Sequence, residues 1–210
     1  MHDWPAHLPT AGGLYIPRNH DGRFHGWVSA RLALASSLNI PAVRVLDMVT
    51  PEAFQRQLQR LGLNLPQPSG YYGLSLALGS AEVSLLNLAN AYRALANGGR
   101  ICPIRLHPGQ PATPPAQCPQ AIAPDAAYIV SDILSDRNAR ALTFGLDSVL
   151  ATRFWSAVKT GTSKDMRDNW VVGYSPHHTV AVWVGNADGQ PMHHIDRKST
   201  RLNSSHVKLS

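Results

Sequence analysis

The 210-residue sequence predicts an α+β fold in which helices pack on an antiparallel sheet. Three observations predict it. Capped segments with apolar residues at helical spacing fill the stretch from Val28 to Leu134; from Phe154 onward short apolar runs take over; and a four-residue turn separates the last two of these runs. With 44% hydrophobic and 15% charged residues the chain can bury a core, and its length bounds it to one or two domains, with one favoured at about 150 residues per domain.

Pro5 through Gly26 is rich in Gly, Pro and His, holds no period, and reads as irregular backbone. A helical pattern runs from Val28 to about Ser36. It restarts beyond Pro41 with Val43, Leu46 and Val49, so Pro41 belongs in the first turn of a second helix, where a missing N–H costs nothing. Ser37-Leu38-Asn39 is then a short connection between two helices. Thr50-Pro51-Glu52-Ala53 combines an N-cap, a first-turn proline and an early acid, and opens a helix that stops at Gly62. Ser84 caps Leu85 to Asn97, whose Leu85, Leu88, Ala89, Tyr92 and Leu95 lie along one side before Gly98-Gly99 ends it.

Cys102 and Cys118 bracket a segment containing Pro103, Pro108, Pro111, Pro114 and Pro115, which cannot be helical. They fit neither a zinc site nor a Cys-x-x-Cys redox pair. Two readings stay open: two free thiols, or a disulfide closing the excursion and stabilising the fold by about 3 kcal/mol in an oxidising compartment. Pro124-Asp125 starts a further helix, Ala126 to Leu134. The strands expected after it are Phe154 to Thr160, Asn169 to Tyr174 and Thr179 to Val184, the last two joined as a hairpin by Ser175-Pro176-His177-His178. The helical part thus covers about 27–136 and the strand-rich part about 150–186. The stretch 197–210 is polar and basic without a period, and is expected to be a non-native tail outside the fold.

The formal charge is +6, but Arg197, Lys198, Arg201 and Lys208 sit in that tail with no acid, leaving +2 for the remainder. That is no footprint for nucleic acid. No run approaches the roughly 18 apolar residues of a membrane span, and Met1-His2-Asp3-Trp4-Pro5 lacks the layout of a secretory signal. His177-His178 and His193-His194 are adjacent pairs without a His-Glu-x-x-His pattern, so no metal is expected.

Chemistry concentrates at Lys159-Thr160-Gly161-Thr162-Ser163, following an apolar strand. A lysine at a strand end supplies positive charge, flanking hydroxyls can bond a carboxylate, and a glycine removes the side chain that would keep a ligand off the backbone. Alone, Lys-Thr-Gly is weak. Ser37-Leu38-Asn39, upstream between two helices, supplies the second member of the set Ser-x-x-Lys, Ser-x-Asn, Lys-Thr-Gly that marks penicillin-binding proteins and related β-lactamases.

The resemblance extends to Gly22–Arg31, Ser37–Val43, Leu76–Gly79, Tyr92–Gly99 and Lys159–Gly173, and covers roughly Gly12 to Met192. Residues 1–196 look like the C-terminal part of the transpeptidase domain of a bifunctional class A penicillin-binding protein, most similar to the 1C branch. This resemblance implies the serine acyl-transferase fold shared with β-lactamases, truncated at its N-terminal side. It also implies a peptidoglycan D,D-transpeptidase that cross-links stem peptides ending in D-Ala-D-Ala through a seryl acyl-enzyme, is acylated by β-lactams, and needs no cofactor. The parent would also be a glycosyltransferase, anchored at the periplasmic face of the bacterial inner membrane.

Carried over by motif, Ser37 joins the proton relay, Asn39 binds the substrate amide, Lys159 gives electrostatic support, Thr160 and Thr162 bind the terminal carboxylate, and Gly161 gives clearance. The Lys159 amine and the Ser37 hydroxyl should converge across a shared cleft with an empty slot between them. The nucleophilic motif is the departure. Serine precedes lysine by three residues only at Ser156/Lys159 and Ser205/Lys208. In a strand, side chains three apart face opposite ways, so Ser156 cannot be activated by Lys159, and the second pair lies in the tail. The nucleophile is therefore expected before Met1, and this chain is expected to be inactive. The alternative is a non-catalytic module of the same fold that binds a peptide or a partner.

Overall fold

The computed structural model describes residues 1–10, 13–163, 166–192 and 206–209, and within them the fold is α+β. The chain starts with four short strands, β1 (His2–Asp3), β2 (Leu8–Thr10), β3 (Gly13–Tyr15) and β4 (Gly26–Trp27). β1 pairs with β4 and β2 with β3, both antiparallel. The expectation of irregular backbone here is therefore corrected. Strands of two or three residues, one containing Pro9, are too short to print an alternating pattern.

Helices follow: α1 (Ala30–Ala35), α2 (Asn39–Val49), α3 (Pro51–Arg60), α4 (Ser69–Tyr72), a 3-10 turn (Gly73–Leu78) and α5 (Leu85–Ala96). The caps read from the sequence are in place. Thr50 accepts from the Ala53 N–H and Ser84 from the Asn87 N–H. Pro41 occupies the first turn of α2, and Val43 and Leu46 of that helix form a buried cluster with Tyr72, Leu74 and Leu76. Burial of each such side chain contributes about 1.5–3 kcal/mol.

Gly98 and Gly99 end the α5 turn with positive φ, and a Cβ on Gly99 would stand 2.1 Å from the Ile122 carbonyl oxygen, so only glycine fits there. Of the two open readings for the cysteines, the structure contains the disulfide between Cys102 and Cys118. α6 (Pro124–Ser135) is followed at once by α7 (Arg137–Phe144), which the sequence reading missed. Asp136 ends one helix and caps the next through the Ala139 N–H, and Arg140 is buried where a helical pattern calls for an apolar residue.

The main sheet has the order β5-β6-β7-β8, all neighbours antiparallel: β5 (Ala157–Thr162), β6 (Asp168–Tyr174), β7 (Thr179–Gly185) and β8 (His206–Leu209). β5 begins three residues later than expected, and Phe154 and Trp155 stay exposed ahead of it. The expectation that the tail lies wholly outside the fold fails for 206–209, which pair with Thr179–Val182. Backbone groups on an exposed strand edge accept a partner strand without any side-chain pattern.

α5 packs on the face of the sheet that carries Val172 and Ala181. Ala89 of the helix meets Ala181 and Val172, with Leu85, Leu88 and Tyr92 around them. Alanine on both sides lets helix and sheet approach closely, and alternation along β7 puts its valines on the opposite face, where Val180 is exposed. α6 packs beside it, where Leu134 meets Ala157 and Tyr174 against Leu34, Val130 and Leu95. Leu34 belongs to α1, so the helix preceding Ser37 rests on the layer that supports β5.

Candidate functional site

α1 ends in a Schellman turn. The Ser37 N–H donates to the Leu34 carbonyl at 3.2 Å and the Leu38 N–H to Ala33 at 2.9 Å, while Leu38 packs on Ala33 and Val28. Such a turn needs a left-handed residue at the position Ser37 fills, and Ser37 has φ +58°. Glycine or asparagine usually stands there. A serine in this conformation costs about 1 kcal/mol or more, and persists only where the surroundings hold it.

What the strained turn achieves is the direction of the Ser37 side chain. Lys159 Nζ donates to Ser37 Oγ at 2.7 Å and to the Thr160 carbonyl at 2.8 Å. Two residues 122 positions apart, one on a helix–helix turn and one on β5, are in direct contact. The convergence expected from the sequence is thus found, with one correction. No slot separates the two atoms, because the extended lysine side chain closes the distance itself. Lys159 is half-buried as a residue, and desolvation of its amine lowers its pKa to about 8. At pH 7.4 about a fifth of such an amine is neutral and can accept a proton.

β5 is an edge strand among the described residues, paired only with β6. Thr160 is half-buried, Gly161 and Thr162 are exposed, and alternation puts Lys159 and Gly161 on one face with Thr160 and Thr162 on the other. A Cβ on Gly161 would meet only Trp170 Cβ, at an ordinary 3.6 Å. Packing within the fold does not require a glycine there. An edge strand with free backbone groups and no side chain at its centre can pair with an extended peptide.

Asn39 opens α2 and stands half-buried; its Nδ2 donates to the Arg18 carbonyl at 2.9 Å, and its Oδ1 takes no hydrogen bond among the described residues. The amide is therefore oriented with an acceptor to spare. Ser156 lies just before β5 and pairs with Thr152 Oγ1 at 2.8 Å, so it is engaged away from Lys159; Ser205 lies outside the described residues.

Asp168 accepts the Trp183 indole N–H at 2.9 Å, and Trp170 packs tilted on Trp183, which are structural roles. Asp165, His193 and His194 lie outside the described residues, while His177 and His178 are exposed at the β6–β7 turn, both N–H groups donating to Ser175 Oγ.

Sequence reasoning missed the supports of the Ser37 turn. Ser36 Oγ donates to the Ala139 carbonyl and Thr143 Oγ1 to the Ser36 carbonyl, both at 2.7 Å, so α7 clamps the residue before Ser37. On the other side stands the loop 17–25, through Arg18 and Asn19. Its only sequence signal is the polar cluster Arg18-Asn19-His20-Asp21-Gly22, which names no partner.

Comparison with known proteins bears on this arrangement. Residues 3–203 match the family model described as the penicillin binding protein transpeptidase domain. The chain is 39% identical over 186 residues to penicillin-binding protein 1C of Escherichia coli K12, covering 88% of this chain and 23% of that protein. It is 33% identical over 200 residues to penicillin-binding protein 1A of Neisseria meningitidis serogroup A, covering 88% and 25%. The chain thus spans about a quarter of the length of these relatives. In three dimensions it is similar to penicillin-binding protein 1A from Haemophilus influenzae, with a TM-score of 0.72 at 22% identity over 90% of this chain and 34% of that one. PBPA from Mycobacterium tuberculosis follows, at 0.66 and 20% over 85% and 48%.

Proposed function

The chain belongs to the penicillin-binding protein transpeptidase domain family, in its class A branch, and we propose that it carries the Ser37/Asn39 and Lys159–Thr162 portion of a peptidoglycan D,D-transpeptidase site. The observation that carries this reading is the hydrogen bond between Lys159 Nζ and Ser37 Oγ beside an open strand edge.

In this reading a stem peptide ending in D-Ala-D-Ala lies along β5. Thr160 and Thr162 bond its terminal carboxylate, Gly161 leaves room for its backbone, and Asn39 Oδ1 accepts from its amide N–H. A serine attacks the carbonyl between the two D-alanines, the peptide bond breaks, and the terminal D-alanine leaves as its amine takes up a proton. The attacking serine gives up its hydroxyl proton as the ester bond forms, and Ser37, held by Lys159, is the route for it: its hydroxyl passes one proton to the leaving amine and recovers the one the attacking serine releases. The Thr162 N–H is one donor for the oxyanion. The acyl-enzyme then passes to the amine of a second stem peptide, and a β-lactam enters the same site by acylating the serine.

Ser156 is engaged by Thr152 rather than by Lys159, and Ser205 falls in the stretch expected to be non-native and outside the described residues, so the attacking serine is proposed to lie outside the 210 residues. The 210-residue chain is then inactive, and the longer protein is a glycosyltransferase–transpeptidase of the periplasmic face of the inner membrane. A fluorescent penicillin tests the assignment. The longer protein should label covalently and the isolated chain should not; an unlabelled longer protein would refute the transpeptidase reading, and stoichiometric labelling of the isolated chain would refute the placement of the nucleophile.

A further inference from the structure

α2 begins without a cap of its own. Its N-cap residue is Leu38, whose side chain offers no acceptor, yet the first N–H groups of a helix have no partner inside it. A side chain from another part of the chain fills the gap. Asn19 Oδ1 accepts from the Asn39 N–H at 3.0 Å and from the Ile40 N–H at 3.2 Å. The neighbouring carbonyl of Arg18 holds the Asn39 side chain, so one short loop fixes both backbone and side chain of Asn39.

The orientation of the Asn19 amide is itself enforced. Its Nδ2 donates to both carboxylate oxygens of Asp3, at 2.8 and 2.7 Å, and to the Arg23 carbonyl at 2.9 Å. A flipped amide would point its oxygen at a carboxylate, so the acid leaves one orientation only. Asp3 is fully buried and Asn19 nearly so, and Asp3 also accepts the His25 N–H at 2.9 Å. Three acceptor duties fall on a carboxylate with two oxygens and lone pairs to spare; an asparagine in its place would bring one acceptor and an unwanted donor.

Ser37 sits between two anchored ends. The Schellman bonds hold its N-terminal side, and Asn19 holds its C-terminal side by gripping Asn39 and Ile40. A left-handed serine stays left-handed only if both sides are fixed. We propose that Asn19 is a positioning residue for the Ser37–Lys159 pair, a cap supplied from a separate loop, and that the buried Asp3 carboxylate keeps its amide facing α2. This rests on the reading of Ser37 and Lys159 as part of the reacting machinery, and it adds two residues that none of the three sequence motifs contains.

The test is the titration of the Lys159 amine, followed by NMR on the full 210-residue chain with labelled lysine, in Asn19→Ala, in the isosteric Asp3→Asn, and in Leu63→Ala as a control. Leu63 is buried just past α3, its N–H donates to the Leu58 carbonyl, and it takes part in none of the hydrogen bonds that hold Asn19, so its truncation destabilises the fold without removing the cap. Loss of the cap frees Ser37, admits water to the amine, and should raise the Lys159 midpoint by about one pH unit or more toward the ordinary lysine value near 10.4 in both loop variants. The control should leave it in place. An unchanged Lys159 midpoint in a folded loop variant, or an equal rise in the control, overturns the proposal. The measurement needs no substrate, so it stands apart from the penicillin labelling that tests the reaction; should Asn19→Ala fail to fold, Asp3→Asn keeps the volume and gives the decision.

Discussion

Burial of the Lys159 amine should make the stability of this protein rise with pH in a window where most proteins lose it. The pKa lies near 8 in the fold, against an ordinary value of 10.5 for lysine in the open chain. Between these values the unfolded chain holds a proton that the folded one has released, so unfolding free energy increases as pH climbs from about 8 toward 10.5. The linkage relation gives almost no contribution at pH 7 and about 2 kcal/mol at pH 9.5. The upper limit is set by tyrosine. Burial pushes the Tyr92 pKa up to about 12 and raises that of Tyr174, and a tyrosine that ionises more easily when unfolded lowers stability above about pH 10.

The perturbation is Lys159→Met, which keeps the unbranched side chain and removes the titrating group. Urea unfolding of wild type and variant at pH 7 and pH 9.5 isolates the lysine, because every other group cancels in the comparison. The wild-type minus variant difference should grow by about 2 kcal/mol between the two pH values. A difference constant to within about 0.5 kcal/mol would refute the reasoning, since it would mean that the amine titrates as it does in water.

Three further outcomes follow from the structure. Gly161→Ala should leave stability within about 0.5 kcal/mol by urea unfolding, its Cβ meeting nothing closer than 3.6 Å, yet slow β-lactam acylation of the longer protein at least about tenfold, since the added methyl stands where a bound peptide backbone would lie. Gly99→Ala should cost about 3 kcal/mol or more by the same measurement, because its Cβ would sit 2.1 Å from the Ile122 carbonyl oxygen at φ +88°. Replacing Cys102 and Cys118 together by serine should lower stability by about 3 kcal/mol and abolish the response of the melting temperature to reductant, without moving the Lys159 titration.

The sequence carried the local parts of this account well. Thr50 and Ser84 cap helices because their side-chain oxygens reach the third N–H onward, a relation contained in four consecutive residues. The β6–β7 hairpin declared itself through a turn and alternating valines. Ser37-Leu38-Asn39 and Lys159-Thr160-Gly161 could be paired only by resemblance, yet the fold brings them into contact. What stayed hidden depends on distant partners or very short elements. β1 and β4 have two residues each and are held by a pairing across more than twenty positions. α7 buries an arginine, so no apolar stripe announces it. The cap on α2 comes from Asn19, twenty positions upstream of Asn39, and the left-handed Ser37 looks in the sequence like any other serine between helices.

The most direct test of the central claim is the second-order rate of β-lactam acylation of the longer protein, read by intact mass spectrometry, in wild type, Ser37→Ala and Lys159→Met. The contact between these two residues predicts that both variants remain folded and that each loses about a hundredfold or more in rate, with the double variant little worse than either single one. Full acylation rates in the two single variants would contradict it.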